Sequence, residues 1–202
     1  MNDPALEDRL CTSKGTLRQI VARMKQRFSA EEYGAALEEV LRLERLVAEK
    51  RGEPYAAKWE LPGVWDGMTL DCTVLGNQSK CLVIFETKPA SGKFRILQFR
   101  GTAGYKLTDV GDEVIAAHSL TGRGLTAYGA FLVEHSPWIK ELEQIDRTHP
   151  QFDAQKWRNT KHHMLCFKDR MFEALATEAT LAGEAASRET ATTIALAQLG
   201  SR

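Results

Sequence analysis

The chain has no long apolar run. CLVIF and FLV, the clearest ones, fall far short of the roughly 20 residues a membrane-crossing helix needs. Its start, MNDPALEDRL, is acidic and has no apolar segment of the kind a secretory leader carries. It also has no net charge: 27 basic side chains balance 27 acidic ones. No global field therefore draws it to nucleic acid or to an anionic membrane, and neither is the expected partner. Cysteine is sparse. Cys11, Cys72, Cys81 and Cys166 are widely scattered, with no C-x-x-C and no zinc-ribbon spacing. Cys72 and Cys81 lie on neighbouring predicted strands, but free buried thiols in a cytoplasmic protein are the expectation.

Signatures of strong chemistry are missing too. The sequence contains no G-x-S-x-G elbow, no P-loop, no G-x-G-x-x-G, no H-E-x-x-H and no deaminase zinc pattern. The expectation is no cofactor and no metal site. What remains is a composition 43% hydrophobic and 27% charged over 202 residues, enough for one good core with an appendage.

Two rhythms organise the chain. Leu17, Ile20, Val21, Met24 and Phe28 share one helical face. Thr16 with Gln19 fits a capping box, and Ser29 with Glu32 fits a second. The second helix carries Tyr33, Leu37, Val40, Leu43 and Val47 on one stripe and should stop at Gly52. This predicts a disordered start over 1–13 and a helical pair over 14–52 with a sharp corner between its helices. GEPYAAKWELPG then reads as a linker or wrap-around segment over 53–68.

From residue 69 the period becomes two. Candidate strands are 69–75, 81–87, 94–99, 113–118 and 125–134, with GNQSK, KPASGK and TGRG as turns. Ser136-Pro137 pairs a helix cap with proline at the first helical position, predicting a short inserted helix over 137–145. Residues 178–202 form an Ala/Thr/Glu tail, part of it, 187–199, helical. The fold class expected is α+β: an N-terminal helical pair followed by a mostly antiparallel β-barrel or sandwich over 69–177.

The stretch KHHMLCFKDRMFEALA tests for a metal. In a helix, histidine and cysteine would share a face. In a strand, His162 and Cys166 stand roughly 13 Å apart along the chain, too far to share one ion. The polar KDR interruption favours a hairpin. Such a hairpin pairs Phe167 with Phe172 and Leu165 with Ala174, and puts His162, Met164, Cys166, Glu173 and Leu175 on the opposite face.

Function is less legible. Glu134, His135 and Ser136 are triad residue types, but adjacent strand residues face opposite ways, so Ser136 reads as a helix cap. Trp138 and Trp157 lie in or beside loops and, with the turn residue Arg123, are the candidate binding contacts. The leading expectation is a non-enzymatic binding or protein-interaction module, able to form a homodimer through the helical pair. One alternative is a small hydrolase or metal-dependent enzyme with His149, His163 and Glu134 at one end of the β-domain. Another is nucleic-acid binding through the first helix, where Lys14, Arg18, Arg23, Lys25 and Arg27 carry the charge.

Overall fold

Among the described residues, two helices begin with proline at the first helical position behind an oxygen-bearing cap. At Ser136-Pro137 it opens a helix over Pro137–Asp146, as the sequence predicts. At Asp3-Pro4 it opens α1, Pro4–Arg23. The computed structural model describes residues 3–23, 29–61, 69 and 71–200. Met24 and Phe28 of the first helical stripe, the corner between the helices, Lys25, Arg27 and Trp65 lie outside the described residues.

The start expected to be disordered is therefore helical from Pro4 onward. Asp3 caps it, its carboxylate accepting the Leu6 N–H at 3.2 Å. Leu6 is buried, and ion pairs tie the helix to α2, Ala30–Arg51: Lys14 to Glu44 at 2.7 Å, Arg9 to Glu39 at 3.6 Å, Lys50 to Asp3 and Arg51 to Glu7. Thr16 is no cap. It sits inside α1, its hydroxyl donating to the Thr12 carbonyl. The second capping box behaves as read: Ser29 accepts the Glu32 N–H at 3.2 Å, and Gly52 ends α2 at φ 64°.

The chain is α+β, with two antiparallel sheets. One runs in the order β1 (Tyr55–Lys58), β6 (Gly129–Glu134), β7 (Lys161–Cys166), β8 (Met171–Ala176), β5 (Gly104–Thr108). The other runs β2 (Cys72–Gly76), β3 (Lys80–Glu86), β4 (Phe94–Arg100), β9 (Glu178–Ala185). Neither closes into a barrel among the described residues. β1 falls in the segment read as a linker, and β9 in the segment read as a tail. Both are sheet-edge strands, whose residues need less apolar alternation than a central strand.

Two inner faces meet across one core. Cys81, Val83, Phe85, Leu97 and Phe99 come from the four-stranded sheet, and Leu165, Phe172, Ala174 and Ala176 from the five-stranded one. The outer face of the smaller sheet is covered by α5, Arg188–Gly200, through Ala191 and Ala195 against Leu82, Ile84 and Ile96. The outer face of the larger sheet is covered at one end by residues 109–128, which place Leu120 and Leu125 on Phe131, Met164 and Met171. The strand expected over 113–118 is instead a single 3-10 turn, Ile115–Ala117. Its run of apolar residues lacks alternation, and Val114 is left 52% exposed. At the other end, α3 (Pro137–Asp146) lies over the same face, followed by α4, Ala154–Asn159.

The β7–β8 hairpin forms, slipped by two residues from the expected register. Leu165 faces Phe172 and His163 faces Ala174. Phe167 donates its N–H to the Arg170 carbonyl at 2.8 Å, so the two-residue turn is Lys168-Asp169, one position earlier than the Asp169-Arg170 turn that the expected register implies. A two-residue slip preserves the faces, because the strand period is two.

Gly124 shows how tightly the covering segment sits. It holds φ +84°, and a Cβ there would meet the Ala56 carbonyl oxygen at 2.3 Å and the Tyr55 ring at 2.6 Å. Gly124→Ala should destabilise by roughly 2 kcal/mol or more, through backbone strain and the clash with β1. Urea denaturation would detect this as a lower midpoint at unchanged slope.

Candidate functional site

Four neighbouring strands of the larger sheet each deliver one polar side chain to the face beneath α3. Ser136 follows the end of β6, His162 is on β7, Glu173 on β8 and Lys106 on β5. Lys106 and Glu173 are direct cross-strand partners, and His162 lies diagonally across from Glu173, since it pairs with Leu175. The side chains join edge to edge. Ser136 Oγ is 2.9 Å from His162 Nδ1. His162 Nε2 is 2.9 Å from one Glu173 oxygen, and the other oxygen is 2.9 Å from Lys106 Nζ. Trp138 on α3 stands edge-on to the His162 ring at 5.3 Å, and Lys106 Nζ lies 4.7 Å over the Trp138 ring.

Electrostatics fix the direction of this relay. Burial pushes the Glu173 carboxyl up, but the hydrogen bonds from His162 and Lys106 outweigh it and hold the group below the usual carboxylate range. Glu173 is therefore ionised and only accepts. Neutral His162 then donates Nε2–H to it, and the Nδ1 lone pair accepts the Ser136 hydroxyl proton. Ser136 Oγ in turn accepts the Ile139 N–H at 3.3 Å, as cap of α3. The reverse tautomer would aim a nitrogen lone pair at a carboxylate. Ser136, His162 and Glu173 are all under 6% exposed, so their polar atoms need this pairing.

Ser136 and His162 also line a cavity of about 490 Å³. Ala57, Leu132 and Ile139 give it an apolar wall, and Arg45, Lys58, Lys140 and Lys161 surround it. Its carboxylate, Glu134, is ion-paired with Arg45 of α2, with Arg45 Nε 3.0 Å from a Glu134 oxygen. The wall therefore includes Arg45 of α2 as well as the sheet.

The residues proposed from sequence are dispersed. Trp138 covers the relay from the Lys106 side. Trp157 is buried on α4 and donates its Nε1–H to Asp146 at 2.7 Å, bolting α4 to α3. Arg123 pairs with Glu53 at 3.5 Å in the covering loop. None of the three lines the cavity. Glu134 does line it. His149 is exposed beyond α3, its Nδ1 accepting the Gln151 N–H, and His163 is buried between the sheets. No group of three or more His, Cys, Asp or Glu side chains among the described residues is placed to hold a metal ion. The hydroxyl of Ser136 and the pair His162–Glu173 were missed as a site, although the hairpin reading already placed His162 and Glu173 on one face.

His163 is the opposite of His162. It points into the core between the sheets, 4.8 Å from the Trp59 ring and 5.3 Å from Phe99, and neither ring nitrogen has a hydrogen-bond partner among the described residues. Burial, with smaller contributions from Lys161 and His162, pushes its imidazole from 6.5 down to about 4. The unfolded chain thus binds a proton more readily than the folded one between those values. The stability due to neutral His163 is complete above pH 6.5 and is lost as pH falls toward 4. Over that window the loss is about 3 kcal/mol. His163→Leu should flatten this part of the stability–pH curve, as read by urea melts at pH 7 and pH 4.5, and an unchanged slope would remove His163 as the cause. No protein-family model, no curated protein and no solved structure matches the chain, so its function is read from this geometry alone.

Proposed function

We propose that the protein is a small-molecule binding module. Its two antiparallel sheets serve as a sandwich scaffold, and its ligand is an anion with a short apolar body. The observation that carries the reading is the charge of the cavity: four basic side chains line it, Arg45 is paired with the cavity's own carboxylate Glu134 and Lys58 with Glu60 at 3.5 Å, and two cations are left over. Lys140 and Lys161 have no carboxylate partner among the described residues, so a ligand carboxylate or phosphate gains attraction there without displacing an existing pair. The apolar wall of Ala57, Leu132 and Ile139 suits a few methylene groups, each worth about 0.8 kcal/mol when buried. Its concave shape favours a single small molecule over a nucleic-acid strand, and on α1 the cations Arg9 and Lys14 are engaged by Glu39 and Glu44.

The proposal extends to a cytoplasmic homodimer through the helical pair, whose Val21 is 48% exposed. Sedimentation as a monomer at micromolar concentration would overturn that part alone.

The binding reading is tested by titrating nitrogen-15-labelled protein with hexanoate. Amide shifts should concentrate at Ala57, Leu132, Ser136 and Ile139. Lys140→Glu combined with Lys161→Glu should weaken binding roughly tenfold, since both pairs are partly screened by solvent. Equal affinity in the double variant, or shifts scattered over the surface, would sink the reading.

A further inference from the structure

Ser136 does more than a helix cap requires. A cap needs only an oxygen that accepts a backbone N–H. The Ser136 hydroxyl does this at 3.3 Å, and it also directs its proton to His162 Nδ1 at 2.9 Å. The relay behind it is complete, with the imidazole held at its far nitrogen by an ionised carboxylate and the carboxylate held by Lys106. These are the parts of a nucleophile, a base and an orienting group, in hydrogen-bond contact. The ring is used in the opposite sense to the serine-protease relay, with Nδ1 toward the hydroxyl.

Two further features present the hydroxyl for reaction. Ser136 and His162 both line the cavity, so the relay ends at a space that a ligand can occupy. The turn that places Ser136 is strained: His135, a non-glycine residue, holds φ 51° between β6 and α3. Such strain persists where surrounding structure over-determines it, and it collects at functional sites. α3 has ten residues, and the partial positive charge of its N-terminus lies beside Ser136, where an acyl oxygen anion would form.

We propose that Ser136 is the nucleophile of an ester-hydrolysing site, with His162 as its general base and Glu173 and Lys106 as positioning residues. The substrate class is a small acyl ester bearing an anionic group. That preference rests on the binding reading above, whereas the nucleophile does not. Ser136 Oγ bonds to the acyl carbon while its proton passes to His162 Nδ1. The ester C–O bond breaks, and the leaving alcohol takes that proton. Water then adds to the acyl carbon, giving its proton to Nδ1. The bond to Ser136 Oγ breaks, and the hydroxyl recovers the proton. The sum is ester plus water to acid plus alcohol, and Glu173 stays ionised throughout.

The test uses the full chain and an alkyl fluorophosphonate, which a nucleophilic serine attacks at phosphorus with loss of fluoride. Peptide mass spectrometry should find the adduct on Ser136. Ser136→Asn keeps a capping oxygen and removes the nucleophile, so it should fold normally and take no label there. His162→Gln should slow labelling roughly a hundredfold, with its fold verified by circular dichroism. Mono-4-nitrophenyl succinate should turn over with a higher kcat/KM than 4-nitrophenyl butyrate. No adduct on Ser136, or labelling at an equal rate in folded His162→Gln, overturns the nucleophile. If hexanoate still binds in that case, the binding reading stands without it. Labelled Ser136 with no hexanoate binding and no preference for the anionic ester overturns the anionic ligand and leaves the nucleophile.

Discussion

One imidazole, hydrogen-bonded at both nitrogens, holds the larger sheet and the helix above it in register. His162 reaches Ser136 at the root of α3 and Glu173 on the next strand. Break either contact and a buried polar group loses its partner, at roughly 1–3 kcal/mol for a neutral group and more for a charged one. The position of α3 depends on this, and so does the mouth of the cavity that α3, β1 and α2 enclose. Lys106 and Trp138 close the far end, so that the polar chain runs from solvent-facing lysine to cavity-facing serine across four strands.

The two adjacent histidines divide the labour between the faces of one strand. His162 is satisfied at both nitrogens and faces α3. His163 is unsatisfied among the described residues and is packed by aromatic rings between the sheets. Alternation alone produces this split, since neighbouring residues on a strand point opposite ways. The same alternation keeps Cys166 in the apolar cluster with Met164 and Met171, away from any shared ion with His163.

Much of this was legible in the residues. Helix α2, its Ser29 cap and its Gly52 stop follow from spacing alone, as do α3 and the faces of the β7–β8 hairpin. The strands that were missed lie at edges. β1 and β9 each pair on one side only, so their composition resembles loop. The start of α1 was legible in Asp3-Pro4 but hidden by an acidic composition, and its cohesion comes from ion pairs with residues some 40 positions away, which no local window reports. The site failed for a related reason. Ser136 was compared with its chain neighbours Glu134 and His135, while its partners come from strands 26 and 37 residues further on. The hairpin supplied two members of the set, and only the sheet order β6-β7-β8-β5 supplies the third and fourth.

The bridge from Arg45 to Glu134 makes α2 part of the pocket. Tyr55, three residues past the Gly52 stop, anchors the same junction through its hydroxyl to the Leu41 carbonyl at 2.8 Å. A shortened chain that began at β1 would retain both sheets and the polar chain beneath α3, yet would strip Arg45 from the pocket and leave Glu134 without that partner. Through that one side chain α2 is less an appendage than a jaw, and anything that shifts it would be felt by whatever the pocket holds.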